Sequence, residues 1–175
     1  MTMTMTTMES SVLSLPREQW ADHPRYPDQV LLLGSHRNFR HISRVLARRA
    51  RDGGDVAGIG WTFSAWKGAM GGHEHYEESK LYPYLEARWG LSCEPLREGH
   101  HHLTEHEAAV RAALRASDGA ALADALAAHD ETLNEHLDLE ESIVIPALLA
   151  LTPDEFEAYY HSSIHTLLRQ LRADR

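Results

Sequence analysis

Two segments of the chain carry the residue types of a metal centre in the same order. His73-Glu74-His75-Tyr76-Glu77-Glu78-Ser79-Lys80-Leu81-Tyr82-Pro83 and His136-Leu137-Asp138-Leu139-Glu140-Glu141-Ser142-Ile143-Val144-Ile145-Pro146 align without a gap, and both read H-x-x-x-E-E-S-x-x-x-P. On a helix, residues four apart share one face with Cβ atoms about 5 to 6 Å apart, so His73 with Glu77, and His136 with Glu140, have a chelating spacing. A single H-x-x-x-E is more often a surface ion pair. Two copies with the same flanking Glu, Ser and Pro point instead to a shared metal centre. Each proline removes the helical partner of the carbonyl four residues back, Ser79 or Ser142, so the motif predicts a kink about a turn beyond each carboxylate.

The rest of the composition narrows the chemistry. Thirteen histidines stand beside one cysteine, and histidine is the commonest side-chain metal ligand near neutral pH. Cys93 alone forms no intrachain disulfide and no cysteine-held cluster, and it suggests no oxidising compartment. The formal charge of −9 argues against nucleic acid as a partner. The longest apolar runs, 30–33 and 143–151, fall far below the roughly 20 residues that cross a bilayer, so no membrane span is expected. Residues 1–11 alternate Met and Thr without a basic or apolar region, which is not a signal peptide. We read 1–27 as a poorly ordered leader in a cytoplasmic protein whose 175 residues make one domain.

Helices must position the motif. Pro16, Pro24 and Pro27 keep 12–27 from forming one long helix, and Asp28 is a plausible N-cap for the next. Val30, Leu33, Phe39, Ile42, Val45 and Leu46 recur at threes and fours up to Arg51, where Gly53-Gly54 supplies a break. Asp55 caps a second helix to about Trp89, stopped by Gly90. A third opens at Glu94-Pro95 and runs to Ala116. The fourth spans Ala120 to about Leu151. Thr152-Pro153-Asp154-Glu155 has a capping-box pattern, so a fifth should run to about Arg172. The expected fold is all-α: an up-down-up-down four-helix bundle over 28–172, with a short additional C-terminal helix.

In that bundle His36, His73, Glu77, His102, His106, His136 and Glu140 fall in one slab about 12 Å thick, at 1.5 Å per residue. On a wheel of the third helix centred on Leu103, His106 lies near the apolar arc and His101 opposite it. His102 flanks the arc, four residues before His106, and is either a further ligand or a boundary histidine. Glu78 and Glu141 point about 100° from Glu77 and Glu140, and both are expected in solvent. His129 is a core or supporting histidine, too far along the axis from His136 to share its ion. Trp66 is expected in the core, or as the wall of an oxygen pocket. His23, His41, His75, His161 and His165 are expected at the surface. Gly68, Gly71 and Gly72 each cost up to about 1 kcal/mol inside a helix, and serve close helix approach or space beside His73.

These residues resemble the hemerythrin-like family, the His-His-Glu cation-binding domains. The resemblance covers about 28–151 and rests on His36 in Ser35-His36-Arg37-Asn38-Phe39, H-x-x-x-E-E-x-x-L-Y-P at 73–83, His106 in Thr104-Glu105-His106-Glu107, and H-x-x-x-E-E-x-x-x-I-P at 136–146. It implies a helical bundle with two non-haem iron ions joined by an oxo or hydroxo bridge. His36, His73, Glu77, His106, His136 and Glu140 are the implied ligands, with both glutamates bridging. The pair His102 and His106 is similar to the H-x-x-x-H of the oxygen carriers, which end the fourth-helix motif with Asp five residues after His. Here Glu140 stands four after His136, which favours reaction with a small oxidant (peroxide, nitric oxide or dioxygen). The alternative is reversible oxygen binding or sensing without turnover. A bundle using the same residues for zinc, or for structure alone, is a third class.

Overall fold

The computed structural model describes residues 13–173, and among them the chain is helical, with no strand. Short 3-10 turns at Arg17–Asp22 and Tyr26–Gln29 lead into α1, Val30–Arg51. Gly53, at φ 75°, lets the chain reverse there, and the Gly54 N–H bonds the carbonyl of Arg49 at 2.8 Å, a closure that favours glycine. α2, Val56–Tyr76, is capped by the Asp55 carboxylate, which accepts from the N–H groups of Ala57 and Gly58. A π-helical turn, Glu77–Leu81, and α3, Tyr82–Trp89, continue it to Gly90, at φ 70°. α4 is Glu94–Ala116 and α5 is Gly119–Leu149, where Asp118 caps the N–H of Ala121. α6, Pro153–His161, has the capping box of Thr152 and Glu155, and α7 is Ile164–Ala173.

Two elements differ from the sequence expectation. The helix predicted from Asp55 to Trp89 is interrupted by the π turn, because one extra residue is taken up before Pro83 and the Tyr82 N–H bonds the carbonyl of Glu77, five residues back. α5 is one helix through Pro146, as its sequence leads one to expect. The single C-terminal helix is two: the chain turns extended at Ser162, and the Ser163 hydroxyl accepts from the Thr166 N–H at 3.3 Å to start α7, a capping role serine fills well. Of the leader, residues 1–12 lie outside the described residues. Beyond them Trp20 is buried, and its indole N–H donates to the Leu15 carbonyl at 2.9 Å.

Backbone proximity divides the chain into two compact units, one of 33–75 and 94–139, the other of 76–93, 140–173 and the described residues up to Leu32. In the first, four helices share one core: Phe39 and Leu46 from α1, Ile59, Phe63, Trp66 and Met70 from α2, Leu103 and Val110 from α4, and Leu122, Leu126 and Leu133 from α5. Trp66 stacks on Phe63 and donates its indole N–H to the Phe39 carbonyl. In the second, Leu81, Tyr82, Leu85, Trp89, Val144, Ile145 and Leu148 are buried. There the Trp89 indole donates to the Ala147 carbonyl at 3.1 Å, and Tyr84 packs on Tyr159 with ring centres 4.8 Å apart. No helix of the described residues is long and apolar enough to cross a membrane.

Candidate metal centre

α1 and α2 bring His36 and His73 together. Their Nε2 atoms face each other at 3.0 Å, and Phe39, one turn beyond His36, packs against His73 at a ring-centre distance of 5.2 Å. The two rings share a hydrogen bond at that separation, which is also the spacing of two nitrogens bound to one cation at about 2.0 to 2.1 Å each.

The carboxylates lie deep in the second unit. Glu77, on the π turn, and Glu140, on α5, are both fully buried. Burial, and then the neighbouring Glu77 charge, push the Glu140 carboxyl well above the usual carboxylate range. The Tyr82 hydroxyl donates to Glu140 Oε1 at 3.2 Å and acts the other way. Burial and the carboxylates of Glu140 and Glu77 in turn push the Tyr82 hydroxyl far up, so it stays a donor. Two buried like charges side by side are unfavourable alone, and a bound cation offsets that cost.

His73 precedes Glu77 by four residues on one continuous helical run, and His136 precedes Glu140 by four on α5. One donor atom each from His36, His73, Glu77 and Glu140 lie within 4.8 Å of one another, a group able to hold a metal ion. The imidazole and carboxylate donors suit a divalent transition metal.

The remaining candidates lie on α4 and α5. His106, half-buried, and His136, buried, line one cavity of about 440 Å³ with Gly99, Thr132 and the exposed His102, Glu98 and Glu135. His102 is 67% exposed, and its ring stands 3.5 Å from the exposed Glu105 carboxylate. His100, which sequence reasoning did not single out, is buried and meets the His136 ring edge-on, with centres 4.6 Å apart. The buried face of α4 is wider than its apolar residues imply, because it includes His100 and Glu107. Glu107 is buried with its charge met by Lys67 at 2.6 Å and Arg111 at 3.3 Å.

Glu141 corrects the sequence expectation. It is buried rather than in solvent, and it pairs with Arg17 of the N-terminal 3-10 turn. A partner 124 residues away in sequence leaves no local signal. Glu78 is exposed, as expected. His129 is in the core, edge-on to both Phe63 and Trp66, and burial, helped by the charges of His106 and Lys67, lowers its pKa to about 4. His41, His75, His161 and His165 are exposed, and His23 is half-buried. A Cβ added at Gly68, Gly71 or Gly72 would meet nothing within 4 Å, so close helix approach does not explain these glycines.

No curated relative and no solved structure matches the chain. The family model of the hemerythrin HHE cation-binding domain matches residues 29–148, from the turn before α1 to the end of α5. With that match spanning well over half its length, the chain belongs to the hemerythrin HHE cation-binding domain family.

Proposed function

We propose that the protein is a non-haem di-iron protein that binds and reacts with a small oxidant: peroxide, nitric oxide or dioxygen. The donor group of His36, His73, Glu77 and Glu140 carries this reading, because it combines imidazoles with two buried carboxylates in a cation-binding family. In the proposed ligand set His106 and His136 would hold the second ion, with Glu77 and Glu140 as the carboxylate donors. An iron pair supplies reversible one-electron chemistry and coordination positions for a small molecule. The protein's own part is to hold the carboxylates away from water, to orient Glu140 through the Tyr82 hydroxyl, and to open the cavity at His106 and His136 to a small molecule. His102 is left out of the ligand set, since its ring is exposed beside Glu105. With six side chains as donors, the usual preference for about six ligands per iron would leave positions for the oxidant. The single, buried cysteine is in keeping with a cytoplasmic location.

Metal analysis of the purified protein, with absorption spectra under air, nitric oxide and peroxide, tests the proposal. About two irons per chain and spectral changes with peroxide or nitric oxide are expected. A zinc-filled protein with no spectral response, or a long-lived oxygenated spectrum without turnover, would overturn it.

A further inference from the structure

We propose that Gly99 is a positioning residue for His136: by lacking a side chain it leaves the space in which the imidazole lies. This rests on the reading of His136 as a metal ligand. A Cβ built on Gly99 would stand 2.3 Å from His136 Nδ1, 3.1 Å from Cγ and 3.2 Å from Cε1. All three nearest atoms belong to that one ring, so the glycine is matched to the imidazole and not to a neighbouring backbone. No other described glycine meets a histidine. At Gly60 the nearest atoms are the flexible end of Leu114, and at Gly58 the capping carboxylate of Asp55 in the adjoining turn. At Gly99 the nearest atoms belong instead to a buried ring. The next residue of α4, His100, is buried with its own ring edge-on to it at 4.6 Å, so consecutive residues form a seat with a backbone floor and an imidazole wall.

The position is also costly unless it serves something. Gly99 lies inside α4, where its φ is not in the left-handed region and alanine would favour the helix. Any side chain there pushes the ring out of its place, and it also fills the wall of the cavity that Gly99 shares with His106 and His136. Gly99 therefore sets both the direction of the ligand and the room beside it.

The test compares the full-length wild type with Gly99→Ala and with Gly68→Ala, an exposed helical glycine whose Cβ would meet nothing. Anaerobic titration with ferrous iron, and with cobalt(II) read by its visible absorption, measures binding. Melting temperatures are taken with and without metal. Gly99→Ala should fold, with an apo melting temperature equal to or above wild type, and should bind metal at least tenfold more weakly with an altered cobalt spectrum, as loss of ligand-orienting groups does. Gly68→Ala should bind as wild type. A Gly99→Ala protein with wild-type affinity and spectrum would overturn the role of Gly99 while leaving the metal centre standing. An apo melting temperature well below wild type would make Gly99 a general packing residue and equally overturn it. A wild type that takes up neither metal would overturn the metal centre, and the role of Gly99 with it.

Discussion

The Tyr82 hydroxyl donates a hydrogen bond to Glu140 Oε1 at 3.2 Å, and both residues are fully buried. Tyr82 stands at the head of α3, one residue before the motif proline, while Glu140 belongs to the other copy of the motif. The bond therefore ties the two copies together at a carboxylate. An Oε1 so anchored fixes the orientation of the Glu140 carboxylate.

Tyr82→Phe keeps the ring and removes this bond. The apo protein should lose about 1 kcal/mol, the usual net worth of one hydrogen bond, and metal affinity should fall about tenfold through loss of orientation. Urea unfolding and metal titration measure the two effects separately, and unchanged affinity would show that Tyr82 only packs.

His136→Ala should lose much of its metal and the stabilisation that comes with it, because metal binds the folded state alone. At a free metal concentration near 100 times Kd that stabilisation is about 2.7 kcal/mol. His102→Ala should keep both irons, and the exposed Glu131→Ala should match wild type throughout. Iron loss from His102→Ala would return that residue to the ligand set.

Arg17→Ala exposes the dependence of Glu141 on its partner. The Glu141 side chain is 4% exposed and that of Arg17 57%, so the pair falls between a surface bridge and a buried one. Its loss should cost about 1 to 2 kcal/mol in urea unfolding. Glu141→Gln should cost less and should largely remove the further effect of Arg17→Ala. Additive losses in the double variant would show that the two do not act as a pair.

Glu155 gives stability a pH dependence. Burial raises its pKa, but the Thr152 N–H and hydroxyl and the Arg88 guanidinium hold the carboxylate more strongly, so the net shift is downward. A folded pKa below the unfolded one means stability that is present above the ordinary glutamate range near 4.3 and is lost as pH falls through the lower folded value. Glu155→Gln should therefore cost about 1 kcal/mol at neutral pH, the worth of a cap, and the gap to wild type should close as pH falls through that lowered folded value. A pH-independent gap in thermal melts would contradict this origin.

The bundle's main helices and the first-turn signals were legible because their cues are local: Asp55, Thr152 and Glu155 cap where the sequence places them, and Gly53 and Gly90 take the positive φ that ends a helix. That His73 and Glu77, like His136 and Glu140, stand about one helical turn apart was legible for the same reason. What the sequence hid depends on distant partners or on buried polar groups. Glu141 is buried against Arg17, and Glu107, on the inner face of α4, has its charge met by Lys67 of α2. Gly99 was invisible because its reason is the shape of a ring on another helix. The break at Ser162 and Ser163 lay inside a run that reads as continuous helix.

The π turn at Glu77–Leu81 acts as a phase shifter. In an unbroken α-helix a residue five positions on is rotated by about 140° from the first, at 3.6 residues per turn, so Glu77 and Tyr82 would look in very different directions. Widening the turn brings the Tyr82 N–H under the Glu77 carbonyl, and both side chains end up buried. The helix is thus a vernier of two pitches, one that sets His73 over Glu77 and another that delivers Tyr82 to Glu140. Its reading frame makes a one-residue change in length between 78 and 80 a larger disturbance than most substitutions there.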